Sequence, residues 1–111
     1  MTLFVIEGES KMKEVKFIAG WTGENEILVA DDLTENEVKV MIASRNNEYG
    51  DAMDGGTWSF TVCDNAKLSP KVYRGVVSSL IKKGYAIVAG DRNDEVFALT
   101  DAGKELFKLD L

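Results

Sequence analysis

Residues 65–90 read NAKLSPKVYRGVVSSLIKKGYAIVAG, and this stretch decides the fold. Ser69 is a strong helix N-cap, and Pro70 then falls at the first helical position, where its missing N–H has no partner to lose. Tyr73, Val76, Val77 and Leu80 recur at helical spacing and predict one apolar stripe facing a core. Lys82 and Lys83 suit the negative end of the helix dipole, and Gly84 suits the left-handed stop that follows. After the stop, YAIVA (85–89) and EVFAL (95–99) read as two strands joined by the turn-forming GDRND (90–94).

Upstream, LTENEVKVMIASRNN (33–47) opens with Thr34 followed three residues later by Glu37, a capping box, with Leu33 and Val38 placed as a hydrophobic staple. Val38, Met41 and Ile42 give the apolar face of a first helix over about 34–46. NEYGDAMDGG (47–56) is a loop, and TWSFTVCDNAK (57–67) predicts a short second helix in which Phe60 and Cys63 enter the core. Downstream, Thr100 or Asp101 caps a last short helix, DAGKELFKL. Residues 1–33 hold short apolar clusters around 3–6, 15–19 and 27–30, which read as strands or ragged extended segments, with Trp21 as an aromatic plug in a turn. There is no internal repeat. The expected fold class is α+β: a winged helix-turn-helix of three helices plus a β-hairpin wing over residues 34–111, preceded by an acidic extension, 1–33, of β character.

The 111 residues suit one domain. The absence of histidine removes the commonest general base and metal ligand, and it excludes Cys-His catalysis and histidine-bearing zinc fingers. One cysteine, Cys63, cannot form an internal disulfide, which fits a reducing compartment. No apolar run has the length of a membrane span, and the start MTLFVIEGES lacks the basic and apolar regions of a signal peptide, so a cytoplasmic protein with no membrane partner is expected. The chain carries 19 acids against 13 bases, a net charge of −6. Yet residues 65–90 contain five bases, Lys67, Lys71, Arg74, Lys82 and Lys83, and no acid.

The unit VCDNAKLSPKVYRGVVSSLIKKGYAIVAGDRNDEVFALTDAGKELF resembles the DNA-binding core of MarR-type winged-helix regulators. Val62, Ala66 and Leu68 match the packed positions of the short helix and turn. Ser69 and Pro70 open the recognition helix, and KKG closes it before the wing. The wing then returns through Asp91 and Arg92 to LTDAG. The resemblance implies binding to double-stranded DNA, with the third helix in the major groove, and no enzymatic activity. MarR-type proteins dimerise through long helices flanking this core, whereas the N-terminus here does not read as helical.

The acid-free run then has a physical reason, because an acid on a helix lying between phosphates would be repelled and would have to be desolvated. Opposite the apolar stripe stand Lys71, Arg74, Gly75, Ser78 and Ser79. Arg74 can read guanine bidentately, and Ser78 can take either role at a base edge. Gly75 lowers helix propensity by about 1 kcal/mol relative to Ala, and it either lets the helix approach DNA closely or relieves packing against the first helix. Lys67 in the turn is placed for phosphate, Ser69 at the cap joins the DNA-binding set, and Arg92 at the wing tip can reach the backbone or minor groove. Lys82 and Lys83 serve mainly the helix end.

The same fold can instead serve as a protein-interaction module, for example a phage- or plasmid-type accessory protein or inhibitor docking on a host protein. The net charge, the acidic extension and the acidic loop 48–54 favour that alternative, and a homodimer is compatible with either reading. Residues 91–102 set Asp91, Asn93 and Glu95 at alternating positions like a calcium loop, but Val96 stands where the turn glycine is needed and Ala102 where the bidentate Glu is needed. No cofactor and no metal is expected. Asp51 and Asp54 have no convergent partners in sequence.

Overall fold

The computed structural model describes residues 2–5, 13–18, 23–45, 52, 55–91 and 94–109. Trp21, Asp51, Asp54 and Arg92 lie outside the described residues, as does the 48–54 loop apart from Ala52. The elements are β1 (Thr2–Val5), β2 (Lys13–Ile18), β3 (Asn25–Ala30), α1 (Glu35–Arg45), β4 (Thr57–Trp58), α2 (Ser59–Ala66), α3 (Pro70–Lys82), β5 (Ala86–Ala89), β6 (Val96–Leu99), α4 (Asp101–Lys104) and β7 (Phe107–Leu109). The three helices α1, α2 and α3 with the β5–β6 hairpin form a winged helix-turn-helix. β4 adds a short third strand to the wing, in the order β4-β6-β5, and residues 1–33 contribute three antiparallel strands.

Caps set the helix ends. The Thr34 N–H donates to Glu37 Oε1 at 2.8 Å, and the Glu37 N–H donates to Thr34 Oγ1 at 3.2 Å, closing the expected capping box on α1. Ser69 Oγ accepts from the Val72 N–H at 3.3 Å, with Pro70 opening α3. α3 stops where the Gly84 N–H reaches the Ile81 carbonyl and the Tyr85 N–H reaches the Leu80 carbonyl, with Gly84 at φ +85°, a Schellman motif.

The core is one cluster spanning every layer. Val15 and Leu28, opposite each other on β2 and β3, meet Val38 and Met41 of α1, Val62 of α2, Leu80 of α3 and Phe97 of β6. Tyr73 and Val77 are buried as the stripe requires, and Val76 packs half-buried against the cluster. The LT..G signature has a mechanical basis. Thr100 Oγ1 accepts from the Gly103 N–H at 3.1 Å, which caps α4. A Cβ on Gly103 would stand 2.1 Å from the Tyr85 carbonyl oxygen, so only glycine lets α4 lie against the α3–β5 junction.

Three expectations need correction. The last helix ends at Lys104, and Phe107–Leu109 instead form β7, antiparallel to β3. Non-local pairing overrides local propensity because β3 offers an open edge. Phe107 also enters the core there, edge-to-face on Phe17 with ring centroids 5.7 Å apart. Phe60 is not core: it is 55% exposed and stacked on Trp58 at 6.3 Å. The inward positions of α2 are Ser59, Val62, Cys63 and Ala66, an i, i+3, i+4, i+7 set that leaves Phe60 outside. Ser59 takes the place expected of an aromatic because its hydroxyl shares a 2.9 Å hydrogen bond with the Tyr73 hydroxyl. Ser79 is half-buried rather than exposed.

Candidate nucleic-acid interface

α3 presents Lys71, Arg74, Gly75 and Ser78 on its outer side, all exposed, at the i, i+3, i+4, i+7 spacing of a single helix face. Lys82 continues this ridge at the C-terminal end, and exposed Lys67 and Ser69 flank its start. The Ser69 hydroxyl already accepts the Val72 N–H, so its first role is to cap the helix.

Lys67 occupies the turn between α2 and α3 in the left-handed conformation, φ 58° and ψ 40°, and is the one described non-glycine residue with positive φ. Its N–H donates to the Asp64 carbonyl at 3.0 Å, and the Leu68 N–H follows to the Cys63 carbonyl at 3.4 Å. That pattern favours glycine, and a side chain there costs about 1 kcal/mol.

Gly75 stands over open space, since a Cβ there would meet nothing within 4 Å. Relief of packing against α1 is therefore not its reason. Beside it lies a shallow cleft lined by Thr34, Asn36, Glu37, Lys71, Val72 and Val76. Val72 was not singled out in the sequence, yet it is 43% exposed on this flank of α3. On the opposite flank, Tyr73, Arg74, Val77, Ile81, Val88 and Glu95 line a groove between α3 and the wing. This groove adjoins a second one, where Arg74 and Glu95 meet Phe60, Cys63 and Pro70.

The five bases of residues 65–90 do not act alike. The Lys83 ammonium bonds Glu37 Oε1 at 2.7 Å and also reaches the Asp32 carbonyl. Burial pushes the Glu37 carboxyl up, but Lys83 and the Thr34 N–H outweigh it and hold the pKa below its ordinary value. Lys83 is thus engaged in holding α3 to α1. The Tyr85 hydroxyl adds a 3.0 Å hydrogen bond to the Asp32 carboxylate at the same junction. Burial pushes the Tyr73 phenol up to about 12, which keeps it a neutral packing group. Burial, with Asp64 nearby, also raises the Cys63 thiol, which favours the protonated form.

The wing contrasts with the ridge. Among its described residues the charged ones are Asp91, Asp94 and Glu95, all acids. Exposed Asp64 lies near the end of α2. Within the helix-turn-helix and wing, the exposed bases among the described residues therefore lie on α3 and its flanking turns. Among the described residues no group of three or more His, Cys, Asp or Glu is placed to hold a metal ion, and no helix is long and apolar enough to cross a membrane.

No family model matches the chain, and no curated protein does. Among solved structures, the PcaV transcriptional regulator from Streptomyces coelicolor, a MarR-family winged-helix protein determined in complex with its natural ligand, is similar. The identity is 23% and the TM-score 0.55, over 71% of this chain and 53% of that one. The chain thus spans about half the length of that regulator. The likeness shows the fold: this is a winged helix-turn-helix domain resembling the MarR-type core.

Proposed function

We propose that this protein is a small cytoplasmic DNA-binding regulator without enzymatic activity. It docks α3 in the major groove of double-stranded DNA and reads sequence from that helix. The observation that carries the reading is the ridge of Lys67, Lys71, Arg74 and Lys82, exposed and free of acids in a chain of net charge −6. Lys67 and Lys71 hold phosphates, Arg74 reads a guanine, and Ser78 and the bare backbone at Gly75 lie against base edges. The wing is the weaker contact, because exposed Asp91 and Asp94 repel phosphate and Arg92 is the one base in its sequence. Transcriptional regulation is supported by the fold shared with PcaV.

The test is fluorescence anisotropy with duplex DNA at several salt concentrations. With about four phosphates neutralised, log K falls against log salt with a slope of about −3.6. Lys71→Ala makes that slope shallower by about 1 on every sequence, whereas Arg74→Ala also relaxes preference at one base pair. Absence of duplex binding at low salt would overturn the reading.

A second reading has its own observation. The Trp58–Phe60 stack is exposed, and so is Ile87 on β5, an edge strand of the wing sheet; exposed apolar groups of this size suit a protein partner. If no duplex binds, docking on a protein through that flank, or pairing with a second copy, takes its place.

A further inference from the structure

We propose that Val72 is a specificity-determining residue that packs on the 5-methyl group of a thymine in the bound duplex. This inference rests on the DNA-binding reading above and adds to it the base that the start of α3 selects. Val72 is the third residue of α3, and the N-terminal residues of a recognition helix are the ones that meet base edges. The fold does not account for it. Val72 belongs neither to the core cluster nor to the half-buried residues packed on it, whereas its neighbours Tyr73, Val76 and Val77 do. Helix formation does not account for it either, because a β-branched residue is a poorer helix former than Ala, Lys or Gln at an exposed site.

Its setting suits a small apolar group. The β-branched side chain has one favoured rotamer in a helix, so its methyl groups are held in place before contact. The Ser69 hydroxyl fixes the Val72 N–H and with it the first turn. One turn on, Gly75 leaves bare backbone and open space, so a base edge can come close without meeting a Cβ. Lys71 beside it supplies charge for the adjacent phosphate. Glu37 at the back of the cleft is buried and already held by Lys83, so it adds little repulsion. Among the base edges of the major groove, the methyl of thymine is the apolar one.

The experiment starts from the duplex that wild-type protein selects out of a randomised pool at low salt. Each thymine of that duplex is replaced in turn by deoxyuridine, which removes the methyl and no hydrogen-bonding atom. One replacement should weaken wild-type binding about fourfold, the effect of burying one methyl group. Val72→Ala should bind the thymine and uracil duplexes equally, with an unfolding midpoint no lower than wild type, since Ala suits the helix. If every uracil duplex binds as tightly as its parent, or if Val72→Ala keeps the fourfold difference, the inference is overturned while DNA binding stands. If no duplex is selected, the DNA-binding reading itself is overturned and this one with it.

Discussion

Two regions of the molecule use the same cationic side chains for opposite ends. Where α1 meets β3 at its C-terminal end and α3 at its N-terminal end, Arg45 and Lys83 are drawn onto acids. Arg45 Nε donates to Glu26 Oε1 at 3.2 Å, Arg45 Nη2 bonds Glu26 Oε2, and both residues are buried. Lys83 grips Glu37, which is 1% exposed. Along the outer ridge of α3, Lys67, Lys71, Arg74 and Lys82 stand in solvent. The difference lies in what the backbone brings opposite each residue: β3 and α1 carry buried carboxylates onto Arg45 and Lys83, whereas α3 itself has no acid along the ridge and Glu95 only shares the flanking grooves with Arg74. A base in the sequence is therefore structural or available according to its long-range neighbours.

The largest effect that can break this comparison is at Arg45. Arg45→Ala leaves Glu26 buried on β3 without its bidentate partner, and it also removes the cation that stands 6.0 Å from the centre of the Phe107 ring. Breaking a buried pair from one side costs about 3–5 kcal/mol. Urea unfolding should show that loss, whereas Lys71→Ala should stay within about 0.5 kcal/mol. Equal losses at the two sites would show that the junction is no more structural than the ridge.

Lys83 gives a smaller, pH-dependent effect. Removing its ammonium leaves the buried Glu37 carboxylate under-satisfied, a cost of about 1–3 kcal/mol near neutral pH. Glu37 has its folded pKa depressed, so its contribution is full above the unfolded pKa and is lost as pH falls through the folded one. In Lys83→Ala burial is opposed only by the Thr34 and Ser79 hydrogen bonds, so the folded pKa rises and acid destabilises less through this group. The stability gap between wild type and variant should therefore narrow as pH falls from 7 toward 4. A gap that widens with acid would refute the pairing.

The local chemistry of this fold was legible in the sequence, and its long-range chemistry was not. Thr34 with Glu37, Ser69 with Pro70, and Gly84 each act within about four residues, so spacing alone placed the caps of α1 and α3 and the wing after them. The Glu26–Arg45 pair spans 19 positions and joins two segments that no periodicity connects. β7 was equally hidden, because KELFKL continues a helical pattern and becomes a strand only when β3 offers its edge. Phe60 misled through its size: the inward set of α2 begins at Ser59, which holds its place by bonding Tyr73. On the candidate interface, charge pointed to Lys67, Lys71 and Arg74, while Val72 could not be told from core by type. Its exposure in the folded chain separates it from Val76 and Val77.

The smallest effect is the most discriminating, because the comparison requires two measurements on one variant to move in opposite directions. Lys67 is held left-handed at the end of α2, a conformation in which its Cβ is strained and glycine is at ease. Lys67→Gly removes that strain but adds freedom to the unfolded chain, so stability should rise by about 0.5–1 kcal/mol. The same change removes one cation from the turn that leads into α3, so the salt dependence of duplex binding should become shallower by about 1. A lysine kept where it costs stability is what a contact residue looks like, whereas a solvated turn has no reason to keep it. If Lys67→Gly is stabilised and its salt slope is unchanged, the strain is real but unconnected to DNA, and Lys67 leaves the interface. If the variant is destabilised, the turn depends on the lysine side chain itself, and the division between structural and available bases fails at this position.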